Sequence, residues 1–245
     1  GVLDAPGHQY APAEGADGLD IDIKTNKLYC SVWTAGPADG HLLREVDIET
    51  GATKDIVTDA ETAKSAARVM AAASTEVKDN ALEAIARGLG ESVEAIIDAN
   101  RADLADERAQ SLSSALTDRL TITPERVEAM AAGVHEVVSL PDPVGEVLEA
   151  GTLENGLRLN KIRVPLGVVA VVYEARPNVT IDCAALTIKS GNSILLKGSS
   201  YAERTNSALA EVVRTGLLEA GLPADAVVMS VGGGRESIAD LATQD

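Results

Sequence analysis

Gly167-Val168-Val169-Ala170-Val171-Val172 runs into Tyr173-Glu174-Ala175-Arg176-Pro177-Asn178-Val179-Thr180. An amphipathic stretch follows and ends in Ile194-Leu195-Leu196-Lys197-Gly198-Ser199-Ser200. A continuous, mostly β-branched run bounded by turn residues predicts a strand buried on both faces. The second apolar run predicts another strand, and the amphipathic stretch between the two predicts a helix. Strand, polar turn, helix, strand is a βαβ unit, and such units bind ligands in the turn at the strand's carboxyl end. That turn gathers Glu174, Arg176 and Asn178 around Pro177, so polar groups concentrate where a ligand would sit.

Outward from this unit, Ala202 to Glu219 predicts a second helix, stopped by Gly221 and Pro223. Ala226 to Val231 predicts a third apolar strand, followed by Gly232-Gly233-Gly234 and a helix starting at Arg235. An α/β domain would normally continue past such a helix, so the domain is expected to be incomplete at Asp245. Upstream, Glu154-Asn155-Gly156 is a strong hairpin signal between extended segments. Thr123-Pro124-Glu125 combines a cap, a proline for the first helical position and an acid near the positive dipole end. Val127, Met130, Val134 and Val138 supply the apolar face of that helix. Ser74 is a candidate N-cap for a helical span through Ile97, which Gly88 and Gly90 are expected to break or kink.

Before Asp55 the texture is different. Leu19–Ile23 with Leu28–Trp33, and Leu42–Ile48 with Thr53–Val57, read as two β-hairpins. Residues 1–57 are therefore set apart as a short all-β segment, and residues 58–245 as an α/β domain. The segment resembles one blade of a β-propeller of the sugar-lactonase or NHL-like kind, although one blade normally needs neighbours to bury its faces. Two hairpins lying on the rest of the protein are an equal reading.

The formal charge of −17 in 245 residues argues against a nucleic-acid partner, which would need basic patches. The acidity fits a highly soluble mesophilic protein or one adapted to a high-salt interior. No apolar run approaches the roughly 20 residues that span a bilayer. Gly1 to Gly15 shows no secretory signal pattern, and Cys30 and Cys183 match no metal or disulfide spacing. A cytoplasmic location is the resulting expectation.

From about Asp59 onward the chain resembles the N-terminal part of γ-glutamyl phosphate reductases, members of the aldehyde dehydrogenase superfamily. The residues that carry the resemblance begin with Ala73-Ser74-Thr75-Glu76-Val77-Lys78, Leu116-Thr117-Asp118-Arg119-Leu120 and Leu140-Pro141-Asp142-Pro143-Val144-Gly145-Glu146-Val147. They continue through Arg163-Val164-Pro165-Leu166-Gly167-Val168, Tyr173–Thr180 and Lys189-Ser190-Gly191-Asn192.

The resemblance implies an α/β, Rossmann-type cofactor-binding domain and an NADPH-dependent reduction of L-glutamyl 5-phosphate to L-glutamate 5-semialdehyde, a step of proline biosynthesis. A cysteine thiolate is acylated with loss of phosphate, and hydride from NADPH then releases the semialdehyde. The family nucleophile lies in a domain beyond the matched region, so no reductase activity is expected of this chain alone. Asn178 matches the superfamily's oxyanion amide, a group that can donate without titrating; a helix N-cap is the alternative.

Lys197 matches the lysine that reaches the adenosine ribose, against the alternative of a solvated strand-end lysine. Ser199 and Ser200 stand where relatives often carry an acid, which is consistent with accepting the 2′-phosphate of NADP(H). Gly232, Gly233 and Gly234 would let amides approach the pyrophosphate, or simply form a tight turn. Arg176 and Glu174 would orient an anionic substrate, or pair with each other. Cys183 is expected to pack as a small apolar residue. The strands around 144–164 resemble the superfamily's oligomerisation arm and would make the protein a homo-oligomer. A non-catalytic NADP(H)-binding or oligomerisation fragment is the rival reading.

Overall fold

The computed structural model describes residues 60–230 with their side chains, together with the backbone of 16–22, 27–33, 41–47 and 53–59. Gly232, Gly233, Gly234 and the helix expected from Arg235 lie outside the described residues. The chain divides into two units, Gly1–Thr58 and Asp59–Asp245.

In the first unit, β1 (Ala16–Asp22), β2 (Lys27–Trp33), β3 (His41–Asp47) and β4 (Thr53–Asp55) pair antiparallel in chain order. Leu19 lies opposite Cys30, and Cys30 opposite Arg44.

The second unit is built on helices. After α1 (Ile56–Ala72), Ser74 caps α2 (Thr75–Glu91), its hydroxyl accepting from Val77 N. Gly88 and Gly90 do not break this helix, contrary to the expectation from sequence. The break falls at Ser92, before α3 (Val93–Leu104). The glycines near this crossing serve packing instead. A methyl group at Gly88 would lie 3.2 Å from Val212 Cγ1, and one at Gly216 would lie 2.6 Å from Ile85 Cγ1. Removing Cβ therefore lets α2 meet α7 (Glu203–Glu219) almost backbone to backbone.

A short α4 (Ser114–Leu120) leads to α5 (Pro124–Ser139), where Thr123 accepts from Arg126 N and Pro124 opens the helix as its sequence predicts. Val127, Met130 and Val134 are buried.

The hairpin β5 (Val147–Thr152) and β6 (Arg158–Ile162) turns at Gly156, whose φ is +84°. Every residue of both strands is exposed. The βαβ unit follows: β7 (Val168–Val172), α6 (Asn178–Lys189) and β8 (Ser193–Lys197), joined through α7 to β9 (Val227–Met229). The three strands are parallel in the order β7-β8-β9.

Here one expectation fails. β7 is not buried on both faces; among the described residues it is a sheet edge, with Ala170 and Val172 exposed. The strand buried throughout is β8. Ile194, Leu196 and Val227 join Ile181, Ile188, Leu209, Val213 and residues of α2 and α5 in one core.

Several motif residues act as joints of this scaffold. Asp142, between two prolines, accepts from Thr75 Oγ1 at 2.6 Å and pairs with the buried Lys78 at 2.6 Å. Burial alone would raise the Asp142 carboxyl, but the bonds from Lys78 and Thr75 hold it below its ordinary value. Lys189 reaches Asp79 at 2.6 Å and the Val138 carbonyl at 2.9 Å. Asn192 Oδ1 accepts from the amides of Leu166 and Gly167 at 2.6 and 2.9 Å, fixing the entry to β7.

Candidate active site

Among the described residues of the second unit, two recesses gather the candidate site residues. The larger is a cleft of about 510 Å³ between the α4–α5 junction and the start of α6. Asp118, Arg119, Thr121, Arg126, Arg176, Asn178 and Asp182 line it, over Ile122, Ala129 and Met130. Buried side chains hold its first wall. Asn100 of α3 donates to the Leu120 carbonyl at 2.9 Å and accepts from Ile122 N at 2.8 Å. Its amide also reaches Thr205 of α7, which is in turn bonded to Asp103 at 2.6 Å. Arg119 and Thr121 thus flank a backbone that is hydrogen-bonded to two helices.

The second wall is the turn after β7 and the first turn of α6. Tyr173, at the end of β7, shares a 2.7 Å hydrogen bond with Thr180 Oγ1, and Thr180 donates to Asn206 of α7. Burial pushes the Tyr173 hydroxyl up to about 12, despite the bond to Thr180. This chain of three side chains ties the turn after β7 to α7.

Asn178 is the first residue of α6 and does not cap it; the cap position belongs to Pro177. The Asn178 amide instead donates to Asp182 Oδ2 at 3.1 Å and faces the cleft. An oriented neutral N–H donor at a helix N-terminus can stabilise a developing oxyanion. Burial pushes the Asp182 carboxyl up, offset in part by that bond.

Arg176 joins Asn178 in the cleft, while Glu174 is not among the lining residues. The two do not form a side-chain pair. Their contact is a backbone bond, Arg176 N to the Glu174 carbonyl at 2.8 Å. Arg126 is committed to the scaffold, at 2.9 Å from Asp118 Oδ1 and 2.6 Å from the Thr121 carbonyl. Cys183 packs half-buried against the core, and burial raises its thiol above the ordinary value. Such a thiol is a poor nucleophile at neutral pH.

The smaller recess lies at the carboxyl end of β8 and is lined by Lys197, Gly198, Ser199, Ser200, Glu203, Asn206, Met229 and Ser230. Lys197 is buried rather than solvated, with 7% of its surface exposed. Ser199 accepts from Tyr201 N and starts a single 3-10 turn before α7. A methyl group at Gly198 would overlap Asn206 Nδ2 and lie 3.1 Å from the Tyr173 ring, so the close packing of Asn206 and Tyr173 here requires glycine. Lysine, two hydroxyls and a helix N-terminus form a donor set suited to ribose and phosphate oxygens.

The aldehyde dehydrogenase family pattern matches residues 31–245. The chain belongs to the aldehyde dehydrogenase family. Enzymes of this family bind nicotinamide cofactors, and the β8 recess supplies groups of the right chemistry for one. The chain is 50% identical over 192 residues to γ-glutamyl phosphate reductase from Thermobifida fusca, covering 78% of this chain and 46% of that protein. It is 52% identical to the enzyme of the same name from Kineococcus radiotolerans, covering 74% of this chain and 42% of that one. The crystal structure of γ-glutamyl phosphate reductase from Thermotoga maritima superposes with a TM-score of 0.74 at 34% identity, over 77% of this chain and 45% of that chain. The chain therefore spans about half the length of the curated relatives it matches.

Sequence reasoning named Arg176, Asn178, Lys197, Ser199 and Ser200, and the structure distributes them between the two recesses. It missed Arg119, Asp118, Asp182 and Glu203. Arg119 and Asp118 stood inside the quoted motif Leu116–Leu120, so their signal was present without a role. Glu203 places a carboxylate in the recess where the serines had replaced the expected acid. Among the described residues no helix is long and apolar enough to cross a membrane.

Proposed function

We propose that this chain is the NADP(H)-binding portion of a γ-glutamyl phosphate reductase, acting in the reduction of L-glutamyl 5-phosphate to L-glutamate 5-semialdehyde. The observation that carries the reading is the cleft in which Asn178, freed from capping duty, presents its amide beside Arg176. Asn178 donates to the oxygen of the acyl group as it becomes tetrahedral, and Arg176 balances the negative charge of the acyl phosphate. Asp182 orients the Asn178 amide. Lys197, Ser199 and Ser200 hold the ribose and phosphate end of NADP(H). The bound cofactor supplies hydride.

As the family resemblance implies, the attacking thiolate is assigned to a cysteine of the family's catalytic domain, and the half-buried Cys183, its thiol raised by burial, takes no part. The test joins this chain to the remaining part of the Thermobifida fusca relative and measures phosphate-dependent reduction of NADP⁺ by L-glutamate 5-semialdehyde. Turnover that falls at least about a hundredfold in Asn178→Ala supports the reading. Unchanged turnover in that variant overturns it.

A second reading, a non-catalytic NADP(H)-binding or oligomerisation fragment, is favoured by the exposed apolar residues of the β5–β6 hairpin and its flanks. Leu157, Leu159, Val164 and Leu166 are 57 to 85% exposed. Under either reading, a second copy of the chain covers this arm.

A further inference from the structure

Charges in the large cleft do not cancel evenly, and the remainder describes a ligand. Arg126 and Asp118 neutralise each other at 2.9 Å. Arg119 and Arg176 make no side-chain hydrogen bond or ion pair within the described residues, although both line the cleft. Among the described residues Asp182 is bonded only to the Asn178 amide. What remains is two open guanidiniums and one carboxylate around a neutral amide. A purely anionic ligand would place its charge against Asp182. A ligand carrying one ammonium and two anionic groups matches every member of the set.

Resting on the function proposed above, we infer that Arg119 and Asp182 form the clamp for the amino-acid head of the substrate. Arg119 binds the α-carboxylate and Asp182 the α-ammonium. Arg176, two residues before Asn178, is then left for the anion at the reacting end. The placement is ordered along the chain. Asp182 lies one helical turn beyond Asn178, and Arg119 stands on the opposite wall, held there by the bonds of Asn100 to Leu120 and Ile122. Two walls that grip the same carbon atom fix the side chain of the substrate in one direction, toward the Asn178 amide. Selection of an α-amino acid over a simple acyl phosphate then resides in Arg119 and Asp182.

The test is calorimetric titration of the 245-residue chain with L-glutamate, 4-aminobutyrate, which lacks the α-carboxylate, and glutarate, which lacks the ammonium. Inorganic phosphate and NADP⁺ are titrated in parallel. L-glutamate is expected to bind at least about tenfold more tightly than either truncated probe, since each loses one charge-assisted contact. In Arg119→Gln, L-glutamate should weaken to the level of 4-aminobutyrate while 4-aminobutyrate itself is unchanged. In Asp182→Asn it should weaken to the level of glutarate.

Both side chains are exposed, so the variants should melt with the wild type, which circular dichroism checks. Equal binding of the three probes, or no binding of any, overturns the clamp. So does an Arg119→Gln effect equal for all probes, or displacement of L-glutamate by phosphate with the same Arg119 dependence. NADP⁺ binding that persists alongside such a result would sink the clamp and leave the proposed function standing; loss of NADP⁺ binding as well would sink both.

Discussion

β7 (Val168-Val169-Ala170-Val171-Val172) and β8 (Ser193-Ile194-Leu195-Leu196-Lys197) are five-residue strands with apolar centres, paired in parallel residue for residue from Val168–Ser193 to Val172–Lys197. Their surroundings are opposite. β8 is buried at every position, even at its terminal lysine, whereas β7 leaves Ala170 and Val172 exposed beside an arm of exposed leucines and valines. Apolar composition identifies a strand; it does not say whether the strand lies at the centre or the edge of its sheet. That depends on which neighbours are present, and here β9 covers one side of β8 while β7 pairs on one side only.

The largest effect is expected from substituting the two strands in parallel. Leu196 is fully buried in the main core, so Leu196→Ala should cost about 2–5 kcal/mol in urea unfolding. Val172→Ala at the half-exposed edge should cost well under about 1 kcal/mol. Equal costs would mean that β7 is covered in solution as thoroughly as β8. The contrast can be sharpened one residue past the end of β8. Gly198→Ala forces a methyl group into Asn206 and Tyr173, an overpacking that typically costs about 1–3 kcal/mol. NADP⁺ affinity should fall with it, because the β8 recess shares those atoms. A variant as stable and as tightly binding as wild type would show that Asn206 moves aside freely.

At the end of β7 the comparison turns on pH. The Tyr173 hydroxyl is pushed up to about 12 by burial, above an unfolded tyrosine near 10. The raised group keeps its proton in the folded state, so its contribution is fully present below pH 10. It is lost as pH rises from 10 toward 12, where the unfolded chain sheds the proton first. Urea midpoints across that interval should drop more in the wild type than in Tyr173→Phe. Parallel decline would place this hydroxyl in solvent.

How much of this was readable beforehand follows from the same contrast. Caps and turns were legible because their chemistry is local: Ser74, Thr123-Pro124 and Asn155-Gly156 do what their types predict. The parallel βαβ unit was legible from its apolar runs, and the family from its motifs. The break at Ser92 was not, since Gly88 is kept helical by α7, a partner more than 100 residues away in the chain. The role of Arg119 was equally hidden. It depends on Asn100 holding Leu120 and Ile122 against the wall opposite Asn178, a long-range arrangement that no spacing encodes. Glu174 and Arg176 stand two residues apart in the same turn, with Arg176 the better candidate for an anionic substrate, and of the two only Arg176 lines the cleft.

The smallest effect on stability, and the most telling for assembly, belongs to the β5–β6 arm. Leu157 and Leu159 touch little of their own chain, so the double change Leu157→Ser, Leu159→Ser should alter unfolding free energy by no more than about 0.5 kcal/mol per site. If a second copy covers the arm, the same change should convert an oligomer into a monomer in sedimentation velocity, because the buried apolar area that drives association is removed. The two measurements must separate for the proposal to hold. A wild-type chain that sediments as a monomer would remove the partner from the arm. A double variant that loses several kcal/mol while remaining associated would mean that these leucines pack within their own subunit. Exposed apolar residues on an edge hairpin are costly to leave uncovered, and β7 lies open on that same polypeptide stretch. Covering by a copy would bury in the assembly what folding of one chain leaves exposed.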